Sequence, residues 1–463
     1  MFIGRERELD VLNRLYASSQ FEFAVVYGRK RVGKTTLINR FIEDKDAIYF
    51  AGVESNAKQN LKNLTACIME YAGGPVADST FLSYQAALEY VFGLAKDKRL
   101  VLVIDEYPYV GRVSKNLATV LQTLIDKYKD TSHLMLIICG SSMAFMEDRV
   151  LSYKAPLYGR RTAQILLEPF TFAEVSRLFP SYSAEDKALA YGIAGGTPQY
   201  VLRFDDSRSV ADNVRHTFLR QGSFLNEEPA NLLKQEVREP AVYTAILSAI
   251  AEGATRMSEI AERVGEDTNV CAIYLKVLIG LGIIVKEIPY GEKTSRKPVY
   301  VIADNMFRFW YRFVPDNTSL IARGAADLVY SRIEPRFAEY MSAVFVEICK
   351  QYLWQQVLLS ACPVSFSMIG GWWGSDLADK SQVDIDIVAA SSKTTALVGT
   401  CLWTDEAVDQ DVVEALIRHS QLLSYTHLTY YVFAKTGFSE ACRKMAAKNA
   451  KIHLVTFADI VGE

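Results

Sequence analysis

Residues 23–35 read FAVVYGRKRVGKT, and the eight from Gly28 to Thr35 decide the fold. An apolar strand, 23–27, runs into a GxxxxGKT turn, and the turn opens the helical stretch KTTLINRFI at 34–42. That order is the context a phosphate-cradling loop requires. Gly28 and Gly33 let the backbone curl and approach an anion without a side-chain clash. The N–H groups contributed through Arg29, Lys30, Arg31 and Val32, with the helix N-terminus behind them, form an anion nest. Lys34 is placed to reach the β- and γ-phosphates of a bound ATP, and the Thr35 hydroxyl to bind Mg²⁺, with Thr36 closing the binding stretch. The plainer alternative is a glycine turn before a surface helix.

Outward from the loop, short apolar runs alternate with helical patterns. Strands are expected at 23–27, 47–52, 100–105, 134–140 and 163–169, and helices at 34–43, 57–72, 82–96 and 114–129. Near-continuous apolar strands alternating with helices predict a parallel sheet covered on both faces. LVLVIDE (100–106) ends in two carboxylates at the C-terminal edge of that sheet, where such folds bind ligands. There Asp105 would hold Mg²⁺ through its water shell and Glu106 would orient or polarise an attacking water. Without the glycine loop beside it, the pair would read equally well as a solvated strand end. A hydroxyl of Gly140-Ser141-Ser142 could sense the γ-phosphate, or the segment is a serine-rich loop. Arg160 and Arg161 could offer a guanidinium to phosphate, or form a solvated basic pair. Gly195-Gly196-Thr197-Pro198 breaks two helical stretches within an otherwise helical segment, 170–235.

FIGRERELDVL (2–12), VIDEYPYV (103–110), IICGSS (137–142), LYGRRT (157–162), LEPFTFAEV (167–175) and GGTPQYV (195–201), with the glycine loop, resemble one family. It is the archaeal-type DEXX-box ATPase family of AAA+/STAND NTPases, relatives of the origin-recognition ATPases. The resemblance spans residues 1 to about 235 and implies ATP binding and hydrolysis. It further implies that Ile3–Arg5 pack near the base of the core and that Gly196–Pro198 belong to a helical lid.

Helical stretches at 240–251, 258–264 and 268–281, followed by a hairpin at 283–302, read as a winged helix. Val264–Asp267 would turn between its second and third helices. The third helix begins Asp267-Thr268-Asn269 but carries a single cation, Lys276, while Lys293, Arg296 and Lys297 crowd the hairpin tip. DNA contact and a packing or protein-contact role both stay open. Beyond it, ADNMFRFWYRFV (303–314) resembles the exit segment of the same family.

The C-terminal part resembles the uncharacterised domain that ends many of these ATPases, whose fold is similar to PD-(D/E)xK nucleases. That resemblance puts Glu347 on the first helix, Asp386 at the metal-binding aspartate, and GTCLW (399–403) on the strand that follows. Here the chain departs from the pattern, with Thr400 and Leu402 where a nuclease needs a carboxylate and a lysine. Threonine is a poor substitute for an anionic ligand, and leucine supplies no positive charge. Asp384 and Asp386 share a strand face and keep a weak two-carboxylate metal site open.

The expected fold is therefore α/β. It comprises a P-loop NTPase parallel sheet (1–168), a helical lid (169–235), a winged-helix domain (236–314) and an inactive nuclease-like α/β domain (315–463). Charge adds an exclusion: 51 Lys+Arg against 54 Asp+Glu gives −3, so no global pull toward nucleic acid or anionic membrane exists. Seven dispersed cysteines without a CxxC pair, and no ~20-residue apolar run, read as a cytoplasmic protein without a membrane segment. The leading expectation is a Mg-ATP-binding, hydrolysing switch. The alternatives are a nucleic-acid- or protein-interaction module that retains nucleotide without turnover, and an ATP-regulated nuclease.

Overall fold

The computed structural model describes residues 3–74, 80–294, 297–376 and 381–462. The chain divides into two compact units. One holds Met1–Pro169 with Thr197–Gln199 and Gly280–Gly282, the other Phe170–Gly196, Tyr200–Ile279 and Ile283–Glu463.

In the first unit, strands β1 (Glu22–Tyr27), β2 (Ala47–Ala51), β3 (Leu100–Asp105), β4 (Leu134–Gly140) and β5 (Ala163–Leu166) form one sheet in the order β2-β3-β4-β1-β5. Every neighbouring pair is parallel. β3 and β4 are buried along their whole length, which is why neither alternates apolar with polar residues: both faces are covered. Helices α1 (Glu6–Ala17) and α2 (Lys34–Ile42) cover one face, packing Leu12, Leu37, Ile38 and Phe41 on Val101, Val103 and Ile137. On the other face α3 (Ala57–Ala72), α4 (Tyr84–Leu94) and α6 (Leu117–Tyr128) set Ile68, Phe92 and Leu121 against Leu102, Ile104 and Leu136. Each such aliphatic or aromatic side chain contributes about 1.5–3 kcal/mol by leaving water.

Two expectations shift. Before α6 the chain forms another helix, α5 (Tyr107–Val113), directly after the Asp105-Glu106 pair. Pro108 lies in its first turn, where a missing N–H costs nothing. The fifth strand stops at Leu166 and not at 169, although Leu167 N still donates to Tyr27 O at 2.7 Å.

The second unit begins with helices from Phe172–Leu178 to Phe224–Glu236. Helices Pro240–Ala251, Met257–Val264 and Thr268–Gly280 follow, and then an antiparallel pair, β6 (Ile284–Glu287) and β7 (Val299–Ile302). Gly265 caps the middle helix in the left-handed region, at φ +74°, and so makes the short turn into the third.

A second sheet has the order β12-β11-β10-β9-β8, from β8 (Gly370–Ser375), β9 (Gln382–Ala390), β10 (Thr395–Leu402), β11 (His427–Ala434) and β12 (Ile452–Thr456). Val432 and Ala434 pack with Val413, Leu416 and Cys442 from helices Gln410–Ser420 and Glu440–Lys448. Phe433, pointing oppositely, meets Tyr352 of the long helix Phe337–Leu358.

β8 is an edge strand with a register shift between Gly370 and Trp372. Such a shift leaves a backbone group unpaired, and the hairpin region fills the vacancy: Tyr290 N donates to Gly371 O at 2.8 Å. Ala390 N donates to Tyr290 Oη at 2.9 Å, and Trp373 Nε1 donates to Lys297 O at 3.1 Å.

Candidate nucleotide-binding site

The loop between β1 and α2 is held open by unusual backbone. Gly33 starts α2 at φ +92°, and Arg31, a non-glycine, adopts φ +73°. Gly28 lies against β5's extension so tightly that a Cβ there would sit 2.4 Å from Leu167 O. Arg5, buried at the N-terminus of α1, braces the loop by donating through Nη2 to Val32 O at 3.0 Å and Glu168 O at 2.7 Å. The family resemblance placed Ile3–Arg5 at the base of the core; their reach to the loop itself had no signal in the sequence.

Lys34 corrects an expectation. A solvated point charge is what sequence alone suggests, but the side chain is 6% exposed. Its Nζ donates to Gly28 O at 2.9 Å and to Arg29 O at 2.8 Å. Burial pushes its pKa down, opposed by the neighbouring Cys139, Glu106 and Asp105. Val32 is buried, whereas Thr35 and Thr36 face solvent at the start of α2.

Asp105 ends β3 and is 3% exposed. Its Oδ2 accepts from Thr35 Oγ1 at 2.8 Å and from Tyr49 Oη at 2.5 Å, while Oδ1 accepts from Glu106 N at 2.8 Å. Burial alone would raise its pKa, but hydrogen bonds from Cys139, Tyr49 and Thr35 outweigh it and keep the carboxyl below its ordinary range. Glu106 follows at φ +47°, a left-handed conformation uncommon outside glycine, as the cap of α5. Ser141, at the tip of β4, points its hydroxyl at this carboxylate, 2.9 Å from Oε1 and 2.8 Å from Oε2. Because β4 lies between β1 and β3, its tip sits between the glycine loop and Glu106.

The remaining candidates are placed as follows. Ser142 accepts from Arg112 Nη2 at 3.1 Å. Arg160 is not a free basic group: it forks onto Asp126, with Nε–Oδ1 at 2.9 Å and Nη2–Oδ2 at 2.7 Å. Arg161 donates to Leu151 O at 3.3 Å and lies over the Tyr158 ring. Tyr49, not anticipated from the sequence, carried only the signal of a polar tip on an otherwise apolar strand.

On the third helix of the 240–302 segment, Asn269, Ala272, Ile273, Lys276 and Ile279 are all exposed. That face is mostly apolar. Lys293 is exposed, and Arg296 lies outside the described residues. In the C-terminal sheet, Thr400 Oγ1 and Cys401 N donate to Asp386 Oδ2 at 3.0 and 2.8 Å. Burial raises the Asp386 pKa. Asp384 is exposed on the same strand, Glu347 accepts from Gln351 Nε2 at 3.2 Å, and Leu402 packs on the apolar cluster around Val398. Among the described residues, no group of three or more His, Cys, Asp or Glu is placed to hold a metal ion.

A parallel sheet, a glycine loop opening a helix, and a strand-end carboxylate bonded to the loop threonine define a P-loop NTPase fold. Comparison with known proteins narrows this class. Residues 2–204 match a family described as an ATPase domain predominantly from Archaea, and 310–414 match one of archaeal and bacterial proteins of unknown function. An uncharacterised protein of Methanocaldococcus jannaschii is 32% identical over 431 residues, covering 91% of this chain and 92% of its own. An uncharacterised ATP-binding protein of Pyrococcus abyssi is 26% identical over 235 residues, 44% of this chain and 69% of its own. The solved Walker-type ATPase of Pyrococcus abyssi shares the fold, with a TM-score of 0.50 at 20% identity over 67% of this chain and 96% of its own. The chain belongs to this archaeal ATPase family. Among the described residues, no helix is long and apolar enough to cross a membrane.

Proposed function

We propose that the protein binds Mg·ATP in the 28–36 loop and hydrolyses it, cycling between nucleotide states as a switch. The observation that carries this reading is the convergence at one sheet edge of Lys34, the Thr35–Asp105 pair and the Ser141–Glu106 pair. Thr35 and Asp105 supply hard oxygen donors of the kind Mg²⁺ takes alongside phosphate and water. The cation, when bound, would neutralise charge on the β- and γ-phosphates.

The chain's own groups do the rest. Lys34 exchanges the carbonyls of Gly28 and Arg29 for phosphate oxygens, and the loop N–H groups cradle the anion. Glu106, held by the Ser141 hydroxyl, orients the water that attacks the γ-phosphorus and takes up its proton. Thr36 lines the first turn of α2 beside the phosphates.

The domain limits that accompany this reading are 1–168, 169–235, 236–314 as a winged helix and 315–463 as a non-cleaving nuclease-like domain, in a cytoplasmic protein. Leu402 in an apolar cluster and Asp386 tied up by Thr400 and Cys401 favour the last of these. A second reading, an interaction module that keeps nucleotide without turnover, draws on the apolar exposed face of the third helix. Measuring ATP turnover with and without duplex DNA separates the two. Steady turnover lost in Glu106→Gln supports the switch; tight binding without any turnover supports the module.

A further inference from the structure

Tyr49 and Asp105 are brought together by strand parity. In the β2–β3 pairing, Tyr49 lies opposite Val103 and Ala51 opposite Asp105. Paired residues of a parallel sheet share a face, so Tyr49 and Asp105 both point to the α2 side, one pleat apart. That separation is about 6.7 Å along the strand, a gap a tyrosine ring spans. Its hydroxyl reaches Asp105 Oδ2 at 2.5 Å, on the same oxygen that Thr35 Oγ1 contacts at 2.8 Å. Any leucine or phenylalanine would fill this position on the sheet face equally well; the hydroxyl has no packing task.

We propose that Tyr49 is a positioning residue for the divalent cation, fixing the Asp105 carboxylate in the rotamer that meets the water shell of Mg²⁺. The assignment rests on the Mg·ATP reading above and adds to it a residue that never touches nucleotide. Three donors, from Thr35, Tyr49 and the Glu106 amide, leave the carboxylate no freedom to turn. Thr35 and the amide belong to the loop and to the strand end, both of which move when nucleotide arrives. Tyr49 is anchored in β2 and does not, so it supplies the fixed reference. Groups that orient a ligating side chain in this way typically carry 10–100-fold of metal affinity.

The test uses the full chain, a fluorescent ATP analogue and magnesium chloride. Nucleotide binding is measured first in EDTA and then across a Mg²⁺ titration, for the parent and for Tyr49→Phe. The expected result is metal-free affinity within about 2-fold of the parent and a Mg²⁺ half-saturation raised about 10-fold. In an Asp105→Asn background, Tyr49→Phe should add nothing to the metal dependence. An unchanged Mg²⁺ half-saturation in a parent that does depend on Mg²⁺ overturns the role of Tyr49 alone. Equal losses with and without metal, with a lowered Tm, also overturn it by making the hydroxyl structural. A parent indifferent to Mg²⁺ overturns the cation reading and this one with it.

Discussion

Arg5→Met removes a guanidinium and keeps most of its apolar stem. The lost groups are known: Nη2 bonds Val32 O at 3.0 Å and Glu168 O at 2.7 Å, and Nη1 lies 3.6 Å from Glu8 Oε1. Each hydrogen bond from a charged donor contributes a net ~1.5–3 kcal/mol, so the two sum to roughly 3–6 kcal/mol. Relief from burying a charge offsets part of this, and a loss of about 2–4 kcal/mol remains. At ~2–4 °C per kcal/mol for a unit of this size, Tm should fall by roughly 5–15 °C. Because Val32 belongs to the phosphate loop, ATP affinity should fall as well, by about 10-fold if ~1.4 kcal/mol of that ordering is specific to the loop. Calorimetry and nucleotide titration measure both quantities. Arg7→Met, an exposed change two residues on, is the control and should stay within about 0.5 kcal/mol. Were Arg5→Met to melt with its control and bind ATP like the parent, the brace would be no more than a crystal-like coincidence of geometry and the reasoning would fail.

Lys34→Ala should abolish ATP binding and, since Nζ also ties two loop carbonyls, should lower Tm by a few degrees; tight ATP binding by this variant would contradict the loop assignment. Glu106→Gln should bind ATP normally and lose ~10²–10⁴-fold in single-turnover rate, and Ser141→Ala should slow the parent but leave the Gln variant no slower, which a double-mutant cycle reads directly. The purified protein should not cut DNA or RNA in Mg²⁺ or Mn²⁺. Cleavage abolished by Asp386→Ala would reverse that view, and weak Asp386-dependent cleavage gained by Thr400→Glu with Leu402→Lys would mark a decayed nuclease.

The parallel sheet and its loop were legible because they write themselves locally. β3 and β4 are unbroken apolar runs, and GxxxxGKT compresses its chemistry into eight neighbours. What stayed hidden depends on distance along the chain. Arg5 acts 27 and 163 residues away, and Arg160 finds Asp126 34 residues back, so neither pairing leaves a spacing to read. α5 escaped notice for another reason: seven residues, YPYVGRV, are too few to display a helical period, and its proline suggests a turn. Tyr49 looked like a β-former on a strand, and only the register beside β3 gives its hydroxyl an address.

The docking of Tyr290 on the shifted register of β8 bears on how the gene can be dissected. A cut after residue 314 follows the boundary that composition suggests, yet it would strip partners from the Tyr290 amide and hydroxyl and from the Lys297 carbonyl. The complementary fragment would carry β8 as a bare edge, with Trp373 unmet and the Gly371 carbonyl open to pairing with any passing strand. Each half would thus inherit a sticky margin, and insolubility of either fragment would speak of the missing half and not of a failure to fold. The smallest honest piece of this unit runs from the first helix of the 240–302 segment through β12.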